Sequence, residues 1–387
     1  MSHPPFALEG IDHVVLLVRD MAAAQKFYEQ VLGCAVDRAL PEYGMLQLRA
    51  GASLIDLVDI GSHEGEWGRP EVEGGRNMDH VCIATGPCDQ AAMRAHLVSS
   101  SYDVVNTHSS TDSWLSAMAC ATLVSPPPIV RTRHVSTTVH NRVGTRWLYV
   151  KATKHIVTAG EALRRQLARD NGFPLDHMTS VPTGIDLARF VPGDAAAARA
   201  RLGLPAKPAL GIVATLRDWK GHEYLFDAIA RDRARWKDWQ ILVVGDGPYR
   251  DRLDARLARL GIADDVRFVG QQEDVVPWLQ ALDVFTLPSY GEEGVPQAIM
   301  QAMACGLPVV STPVGAIAEA VDDGATGLLV TPRSAEALAA GLTTLRDDAN
   351  LRARFALGAR ARALRDFGFD PMLDKMEAVF AAALKDS

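Results

Sequence analysis

The second half of the chain alternates short apolar runs with longer amphipathic stretches. An apolar strand is predicted at 210–214, and further strands at 236–245, 266–270 and 284–288. Amphipathic stretches of helical character begin at Glu223, follow the glycine-containing turn at 245–248, and cover residues 275–281. Strands that alternate with helices predict a parallel sheet, and such sheets bind ligands at the C-terminal edge of their strands.

Residues 290–312, YGEEGVPQAIMQAMACGLPVVST, combine a turn, a short helix and a buried strand. Pro296 suits the first helical position, Gly306 suits the left-handed residue after a helix, and Pro308 prevents the helix from continuing. The turn at 292–295 therefore lies at a helix N-terminus, where backbone N–H groups attract anions. Its two carboxylates disfavour a bare phosphate but accept hydrogen bonds from hydroxyl groups. A ligand with both a phosphate and a sugar accounts for both features.

Two further strands are predicted upstream, at 102–108 and 129–134, with an alanine-rich helix between them. Each strand ends in a histidine, His108 or His134. Parallel strands joined by a helix belong to a doubly wound sheet, whose strand C-termini line a crevice. Either histidine could serve that crevice or merely cap a strand end. The pattern continues with a helix around 147–154, a strand at 155–158 and a helix at 161–171.

The first 97 residues have a different pattern. A strand at 11–18 is followed by a helix that Asp20 can cap and that Gly33 ends, and then by strands at 44–49 and 53–60. An Asp-His pair enters the first strand at 12–13, and a second such pair enters an apolar run at 79–80. This internal repeat predicts two copies of one βαβββ module, the second incomplete.

Composition limits the class of protein. A chain of 387 residues with 48% hydrophobic residues and a formal charge of −7 is expected to be a soluble globular protein of two or three domains without a nucleic-acid partner. Its five cysteines show no paired metal-binding spacing, which favours a reducing compartment. Since neither a signal pattern nor an apolar run of the required ~20 residues is present, we expect a cytoplasmic location.

The stretch at 290–312 resembles the signature of retaining family 4 glycosyltransferases, which have the GT-B fold. That signature places two glutamates, separated by seven intervening residues, before a small-residue helix, and here Glu293 and Gln301 occupy the two positions. Gln301 departs from the family pattern, although its carbonyl can accept a hydrogen bond from a ribose hydroxyl. The resemblance covers about 102–387 and implies an α/β, GT-B-like fold with two Rossmann-like domains, the first incomplete, preceded by a partial βαβββ module.

The resemblance also implies site residues. Glu293 would orient the donor sugar, and His134, at the family's histidine position, would assist its hydroxyl groups. Lys220, with Arg217 as a displaced substitute, would stabilise the charge that develops on the leaving diphosphate. Together with these cations and Glu293, the expected donor-binding residues are Gly245, Gly247, Gly294, Val295 and Gln301.

The N-terminal segment resembles the vicinal oxygen chelate superfamily, which includes glyoxalase I and the dioxygenases. By position, His13, Asp56 and His80 would be three of that family's four ligands for a divalent metal. The second module stops near Leu97 without a candidate for the fourth ligand. A relic module in which the histidines are ordinary strand residues is therefore the favoured interpretation.

These resemblances predict four segments and one leading function. The expected segments are a chelate-like segment at 1–98, a partial acceptor-side domain at 99–190, a donor-binding domain at 191–370 and a C-terminal helix at 371–387 that packs back on the acceptor-side domain. The expected enzyme is a retaining hexosyltransferase that moves a sugar from a nucleotide-diphosphate donor to a glycan or lipid-linked acceptor in lipopolysaccharide or other surface-glycan synthesis, without a required cofactor. Peripheral association with the inner membrane face is compatible with such an acceptor. The alternatives are a nucleotide-sugar-binding protein with impaired transfer, and a metal-dependent enzyme acting through the N-terminal segment.

Overall fold

The computed structural model describes residues 13–18, 20–30, 33–50, 53–59, 62, 103–134, 139–291 and 293–385. The chain forms two compact units, residues 1–88 and residues 89–387. The predicted second module at 78–97, with His80, Cys82 and Cys88, lies outside the described residues.

The first unit contains a β-α-β-β-β module with the sheet order β1-β4-β3-β2. Strand β1 pairs with β4 in parallel, whereas β3 runs antiparallel to both neighbours. The Asp20 carboxylate caps the helix by accepting from the N–H of Ala23 at 2.9 Å. Leu48 and Leu57 are fully buried beneath that helix. The bounds are β1 His13–Val18, α1 Met21–Gln30, β2 Ala35–Leu40, β3 Met45–Ala50 and β4 Ser53–Asp59.

The second unit holds two parallel sheets. The middle sheet has the order β5-β6-β7-β8, and the C-terminal sheet has the order β11-β10-β9-β12-β13-β14. All pairs in both sheets are parallel. The strands are β5 Val105–Thr107, β6 Ile129–Arg133, β7 His155–Thr158, β8 Met178–Ser180, β9 Ala209–Val213, β10 Gln240–Val244, β11 Val266–Gly270, β12 Val284–Leu287, β13 Val309–Ser311 and β14 Gly327–Leu329.

Helices connect these strands and cover the sheets. They are α2 Ser110–Cys120, α3 Val143–Arg146, α4 Glu161–Asn171, α5 Ala195–Arg201, α6 His222–Arg231, α7 Arg250–Leu260, α8 Val276–Gln280, α9 Gln297–Ala304, α10 Ile317–Ala320, α11 Ala335–Asp347, α12 Ala349–Asp366 and α13 Phe369–Lys385. Among the described helices, none combines the length and the apolar character that a membrane crossing requires.

The order of the C-terminal sheet creates a crevice. Strand β9 lies at its centre, with β10 on one side and β12 on the other. The chain therefore winds in one direction from β9 to β11 and in the other from β12 to β14, and the loops after β9 and β12 part at the switch point between these two strands. Ligands of doubly wound proteins bind at such a switch point, outside the C-terminal ends of the strands. Buried apolar side chains fix the arrangement, with Phe226 of α6 and Phe285 of β12 fully excluded from solvent.

The C-terminal helix packs against the middle sheet. Val379 and Ala383 of α13 are buried in one cluster with Val130 and Val157 of the middle sheet. Just before this helix, the carbonyl of Phe367 accepts a hydrogen bond from the N–H of Ile185 at 2.8 Å. The last helix therefore ties the two halves of the second unit together.

Several predicted bounds shift in the structure. The run at 236–245 becomes a strand only from Gln240, because residues Arg233–Trp236 form a 3-10 turn that buries Trp236. The helix expected around 147–154 starts earlier, at Val143, and Trp147–Ala152 is a π-helical turn. Strand β2 lacked an apolar signal because most of its residues are exposed.

Candidate functional site

A cavity of about 370 Å³ opens at the switch point of the C-terminal sheet and is bounded on its far side by the middle sheet. We call it the switch-point cavity. Its lining comes from the loop after β9, the loop after β12, the start of α9 and the ends of the middle-sheet strands. The lining residues are His134, Ala159, Thr183, Val213, Ala214, Thr215, Lys220, Leu287, Glu293, Gly294, Val295, Pro296, Gln297 and Ala298.

Lys220 is positioned by a tight connection between β9 and α6. Residues Asp218–Lys220 form a 3-10 turn, and Gly221 follows in the left-handed conformation with φ of +80°. A Cβ atom on Gly221 would lie 2.0 Å from the carbonyl oxygen of Pro288, so the two loops approach more closely than any side chain allows. The N–H of Tyr290 also bonds the carbonyl of Trp219 at 2.8 Å. The loops after β9 and β12 therefore form one rigid wall.

Lys220 and Glu293 make an ion pair across that wall. The Lys220 ammonium donates to both carboxylate oxygens of Glu293, at 2.8 and 3.0 Å. The Ser289 hydroxyl donates to the same carboxylate at 2.8 Å. The side chains of Lys220 and Glu293 are 19% and 10% exposed, so the pair is largely desolvated while one edge faces the cavity. The arrangement places a cation and a hydrogen-bond acceptor side by side at the switch point.

The backbone around Glu293 is held by the loop after β13. The N–H of Ala316 donates to the Glu293 carbonyl at 2.9 Å, and a Cβ on Gly315 would lie 2.1 Å from the same oxygen. Gly294 differs from its neighbours, since an added Cβ would meet only the Ala159 side chain at 4.0 Å. Helix α9 begins at Gln297, and Pro296 is its N-cap with ψ of 125°, one residue before the predicted position. Gly306 has φ of +75°, which confirms the predicted left-handed residue after this helix.

The opposite side of the cavity is contributed by the middle sheet. His134 follows β6, and its Nε2 lies 2.9 Å from Nδ1 of His108, which follows β5. The two rings stack with centroids 5.2 Å apart. The Asp112 carboxylate accepts from the His108 N–H at 2.8 Å and so fixes the loop after β5. The side chains of the two strand-end histidines therefore contact each other at the edge of the crevice.

His222 lies directly behind Lys220 at the start of α6. The side chain is 1% exposed, and neither ring nitrogen makes a hydrogen bond of normal geometry with the described residues. Burial, and secondarily the positive charge of Lys220, lower the pKa of His222 to about 4, an effect that the Arg217 backbone partly offsets. His222 is therefore neutral at physiological pH and adds no charge to the cavity.

Comparisons with known proteins show which family the chain belongs to. The model described as "Glycosyl transferases group 1" matches residues 207–348, and "Glycosyltransferase Family 4" matches residues 80–189. The chain is 31% identical to a D-inositol 3-phosphate glycosyltransferase of Streptomyces scabiei, across 97% of this chain and 87% of the relative. The chain belongs to the family 4 glycosyltransferases.

Two other similarities complete the picture of this glycosyltransferase. The lipopolysaccharide core biosynthesis mannosyltransferase LpsB of Rhizobium meliloti is 29% identical over 66% of this chain and 74% of its own. The Anabaena HepE structure in complex with UDP matches with a TM-score of 0.68 at 22% identity, over 76% of this chain and 82% of that one. The latter similarity shows that the second unit has the GT-B-like fold, as predicted.

The N-terminal segment of this glycosyltransferase matches a different model. "Glyoxalase/Bleomycin resistance protein/Dioxygenase superfamily" covers residues 10–113, which overlap the residues that the family 4 model matches. The chelate-like resemblance is therefore confirmed at the level of family.

The metal site that the resemblance implies in that segment finds no support among the residues that the structure describes. Asp56 is buried and accepts a hydrogen bond from the Gln47 amide at 2.7 Å, so its carboxylate is already engaged within the sheet. The His13 backbone belongs to β1, but its side chain lies outside the described residues, as does all of His80. Among the side chains that are described, no three His, Cys, Asp or Glu groups could hold a metal ion.

The structure brings together four of the eight expected donor-binding residues, and His134 with them. Glu293, Gly294, Val295, Lys220 and His134 all line the switch-point cavity. They come from three separate stretches of sequence, and only the fold joins them.

Arg217 and Gln301 do not line the cavity. Arg217 is the extended residue before the 3-10 turn, and its exposed guanidinium lies over the Trp219 ring with Cζ 5.1 Å from the centroid. Gln301 lies one helical turn beyond Gln297, which occupies the cavity wall instead.

The glycines at 245 and 247 also lie outside the lining, and their small size has a packing reason. A Cβ on Gly245, whose φ is +134°, would lie 2.1 Å from the Ala214 carbonyl oxygen. A Cβ on Gly247 would lie 2.6 Å from the Leu216 carbonyl oxygen. These glycines let the loop after β10 contact the loop after β9, which lines the cavity.

Sequence reasoning missed three polar lining residues: Thr183, Thr215 and Gln297. Thr215 follows β9 closely and Gln297 is the first residue of α9, so the ends of predicted elements carried a usable signal. Thr183 lies in the connection between the two halves, and the sequence pattern there does not predict which residues face the cavity.

Proposed function

We propose that this glycosyltransferase transfers a sugar from a nucleotide-diphosphate donor to an acceptor hydroxyl with retention of anomeric configuration. The observation that carries the proposal is the Lys220–Glu293 pair facing His134 across the switch-point cavity. A cation for a diphosphate and acceptors for sugar hydroxyls are the groups that such a donor requires.

The ion pair suggests how donor binding would activate the site. In the structure the charges of Lys220 and Glu293 offset each other. A diphosphate beside Lys220 would offer the ammonium a second anion and would allow Glu293 to accept hydrogen bonds from the sugar. When the sugar–phosphate bond breaks, negative charge grows on the leaving phosphate, and a fixed cation stabilises that charge more in the transition state than in the ground state.

The distribution of carboxylates bears on the route by which retention would be achieved. Glu293 is the one carboxylate among the described lining residues, and Lys220 and Ser289 hold it. A double displacement needs a carboxylate nucleophile in addition to an acid. We therefore assign the acceptor proton to the leaving phosphate oxygen, with attack on the same face of the sugar. His134 would contact the sugar hydroxyls from the opposite wall.

The relatives support a nucleotide donor and a surface-glycan acceptor. HepE is seen with UDP, and LpsB is named as a mannosyltransferase of lipopolysaccharide core synthesis. We propose a glycan or lipid-linked acceptor for this chain, with peripheral contact to the membrane that carries it. We assign donor binding to residues 191–370 and acceptor binding to residues 99–190.

The test is product stereochemistry. Purified protein would be incubated with α-linked UDP-, GDP- and ADP-sugars and with glycan and sugar-phosphate acceptors, and the anomeric proton coupling of any product measured by NMR. We expect nucleotide diphosphate release that depends on an acceptor, and an α-linked product. A β-linked product would contradict retention, and turnover retained fully in Glu293→Gln would contradict the assigned site.

A further inference from the structure

A second cavity, of about 400 Å³, lies within the middle-sheet half. We call it the Arg131 cavity. It is formed by the ends of β5 and β6, by α2 and by the segment from 139 to 149. Its lining residues are His108, Ser109, Ser110, Trp114, Arg131, Thr132, Arg133, His134, Val139, His140, Arg142, Thr145, Leu148 and Tyr149. His134 lines this cavity and the switch-point cavity, so the two meet at that side chain.

Arg131 is a buried cation in this cavity. The residue is 4% exposed, and its guanidinium donates to the Ser109 carbonyl at 3.2 Å. Its Cζ lies 4.6 Å from the centroid of the Tyr149 ring. The buried Nε has no hydrogen-bond partner within the part of the chain that the structure describes. A buried guanidinium normally has an anionic partner, because removing its charge from water is costly.

The surroundings of Arg131 are basic. The lining contributes three arginines and three histidines, and no aspartate or glutamate is found among the described residues that form it. Arg133 donates to the Tyr149 hydroxyl at 3.0 Å, so the same aromatic ring positions two guanidinium groups. The neighbouring carboxylate of Asp112 accepts from the backbone N–H groups of His108 and Ser109 and is thereby committed to the start of α2. The protein itself supplies no counter-ion for Arg131 within this lining.

We propose that the Arg131 cavity binds an anionic group, a phosphate or a carboxylate, carried by the acceptor. The inference rests on the proposed function, since it takes the neighbouring switch-point cavity as the donor site. Planar guanidinium groups recognise both anions through paired hydrogen bonds. A volume of 400 Å³ is enough for a substituted sugar ring. With the anion at Arg131, an acceptor hydroxyl would project past His134 toward the donor sugar.

The experiment is a calorimetric titration of protein saturated with UDP, so that the donor site is filled. The probes are inorganic phosphate, the pair glucose 6-phosphate and glucose, and the pair glucuronate and glucose. We expect each anionic member to bind at least about tenfold more tightly than neutral glucose, because hydrogen bonds to a charged group carry this discrimination. Phosphate and carboxylate probes distinguish the two sources of the anion.

Three variants locate the binding. Arg131→Gln should weaken anion binding about tenfold to a hundredfold while UDP affinity is retained. Arg142→Gln, at an exposed lining position, should weaken it to a smaller extent and decides the question if Arg131→Gln does not fold. Arg169→Gln, exposed on α4, serves as the control without effect.

Two outcomes would overturn the inference. One is that no anionic probe binds the UDP-saturated protein up to tens of millimolar, and the other is that anions bind equally to wild type and both cavity variants. If UDP does not bind, the same titration uses GDP or ADP. A failure of all three nucleotides to bind would contradict the proposed function instead, and the anion titrations on the protein without nucleotide would then test the Arg131 cavity separately.

Discussion

At the residue scale, His222 makes the stability of the fold depend on pH. Its pKa is about 4 in the folded chain, against an ordinary value of 6.5. The unfolded chain therefore binds a proton at His222 between these values while the folded chain does not. Stability from this group is full above pH 6.5 and is lost as the pH falls toward 4.

We therefore predict that wild type loses about 2 kcal/mol of unfolding free energy through His222 between pH 7 and pH 5. His222→Leu should show a correspondingly smaller loss, and His140→Leu, at an exposed histidine, should behave as wild type. Urea unfolding followed by circular dichroism at both pH values measures this. Equal pH slopes in wild type and His222→Leu would rule the explanation out.

Alanine substitutions at Gly221 and Gly203 distinguish the stability cost of a steric clash from the cost of a left-handed backbone conformation. Both have left-handed φ values, +80° and +62°, but an added Cβ clashes with Pro288 only at Gly221. Gly203→Ala should cost about 1–2 kcal/mol through conformation alone. Gly221→Ala should cost roughly 3 kcal/mol or more and should weaken nucleotide binding, because the loops after β9 and β12 must separate. Thermal unfolding of both variants tests the difference, and similar losses would mean that the close approach is unimportant.

At the scale of elements, helix α4 is capped by a residue from the other half of the second unit. The Glu319 carboxylate accepts from the N–H groups of Glu161 and Ala162, at 2.7 and 2.5 Å. The first turn of α4 has no side-chain cap of its own, since Gly160 precedes it. A negative charge also interacts favourably with the helix N-terminus.

Glu319→Ala should therefore reduce the unfolding free energy by about 1–2 kcal/mol. Glu336→Ala, at an exposed position in the first turn of α11, is the matched control and should change it little. Chemical denaturation of the two variants provides the measurement. If Glu319→Ala is as stable as wild type, the contact between the halves contributes nothing to stability.

Helices and strands were predictable from sequence where the pattern of apolar residues agrees with the residues that end an element. Strand β7 and helix α4 have the predicted bounds, because β7 has a buried Ile-Val centre and a left-handed glycine ends α4. Strand β2 was not predictable, since its residues are mostly exposed and carry no alternation. Gly245 was predictable as a turn residue. Its contact with Ala214 was not, because that contact joins loops that are distant in sequence.

The candidate site was likewise predictable only in part: single residues could be expected from the sequence, but their contacts could not. Glu293 was predictable from its turn before a helix and Lys220 from the family resemblance, but their mutual ion pair was not, since it depends on loops 73 residues apart meeting at the switch point. Arg217 was expected in the site because the family resemblance implies an arginine in this loop. The turn that delivers Lys220 instead directs Arg217 over Trp219.

At the scale of the whole molecule, donor binding should be independent of divalent metal. Lys220 supplies a positive charge at the switch-point cavity, which is the charge that a bound diphosphate requires. UDP affinity should therefore be unchanged by EDTA and by added Mg²⁺ or Mn²⁺. Calorimetry under the three conditions is the test, and a tenfold gain with metal would contradict the role given to Lys220.

The most direct test of the central claim is nucleotide affinity in a lysine variant. UDP, GDP and ADP would be titrated calorimetrically into wild type, Lys220→Ala, and Lys207→Ala, in which an exposed lysine away from the cavity is removed. We predict that one nucleotide binds wild type and Lys207→Ala alike, and that Lys220→Ala binds it at least about tenfold more weakly. Equal affinity in Lys220→Ala, or no binding of any nucleotide to folded wild type, would contradict the assignment of the switch-point cavity as the donor site.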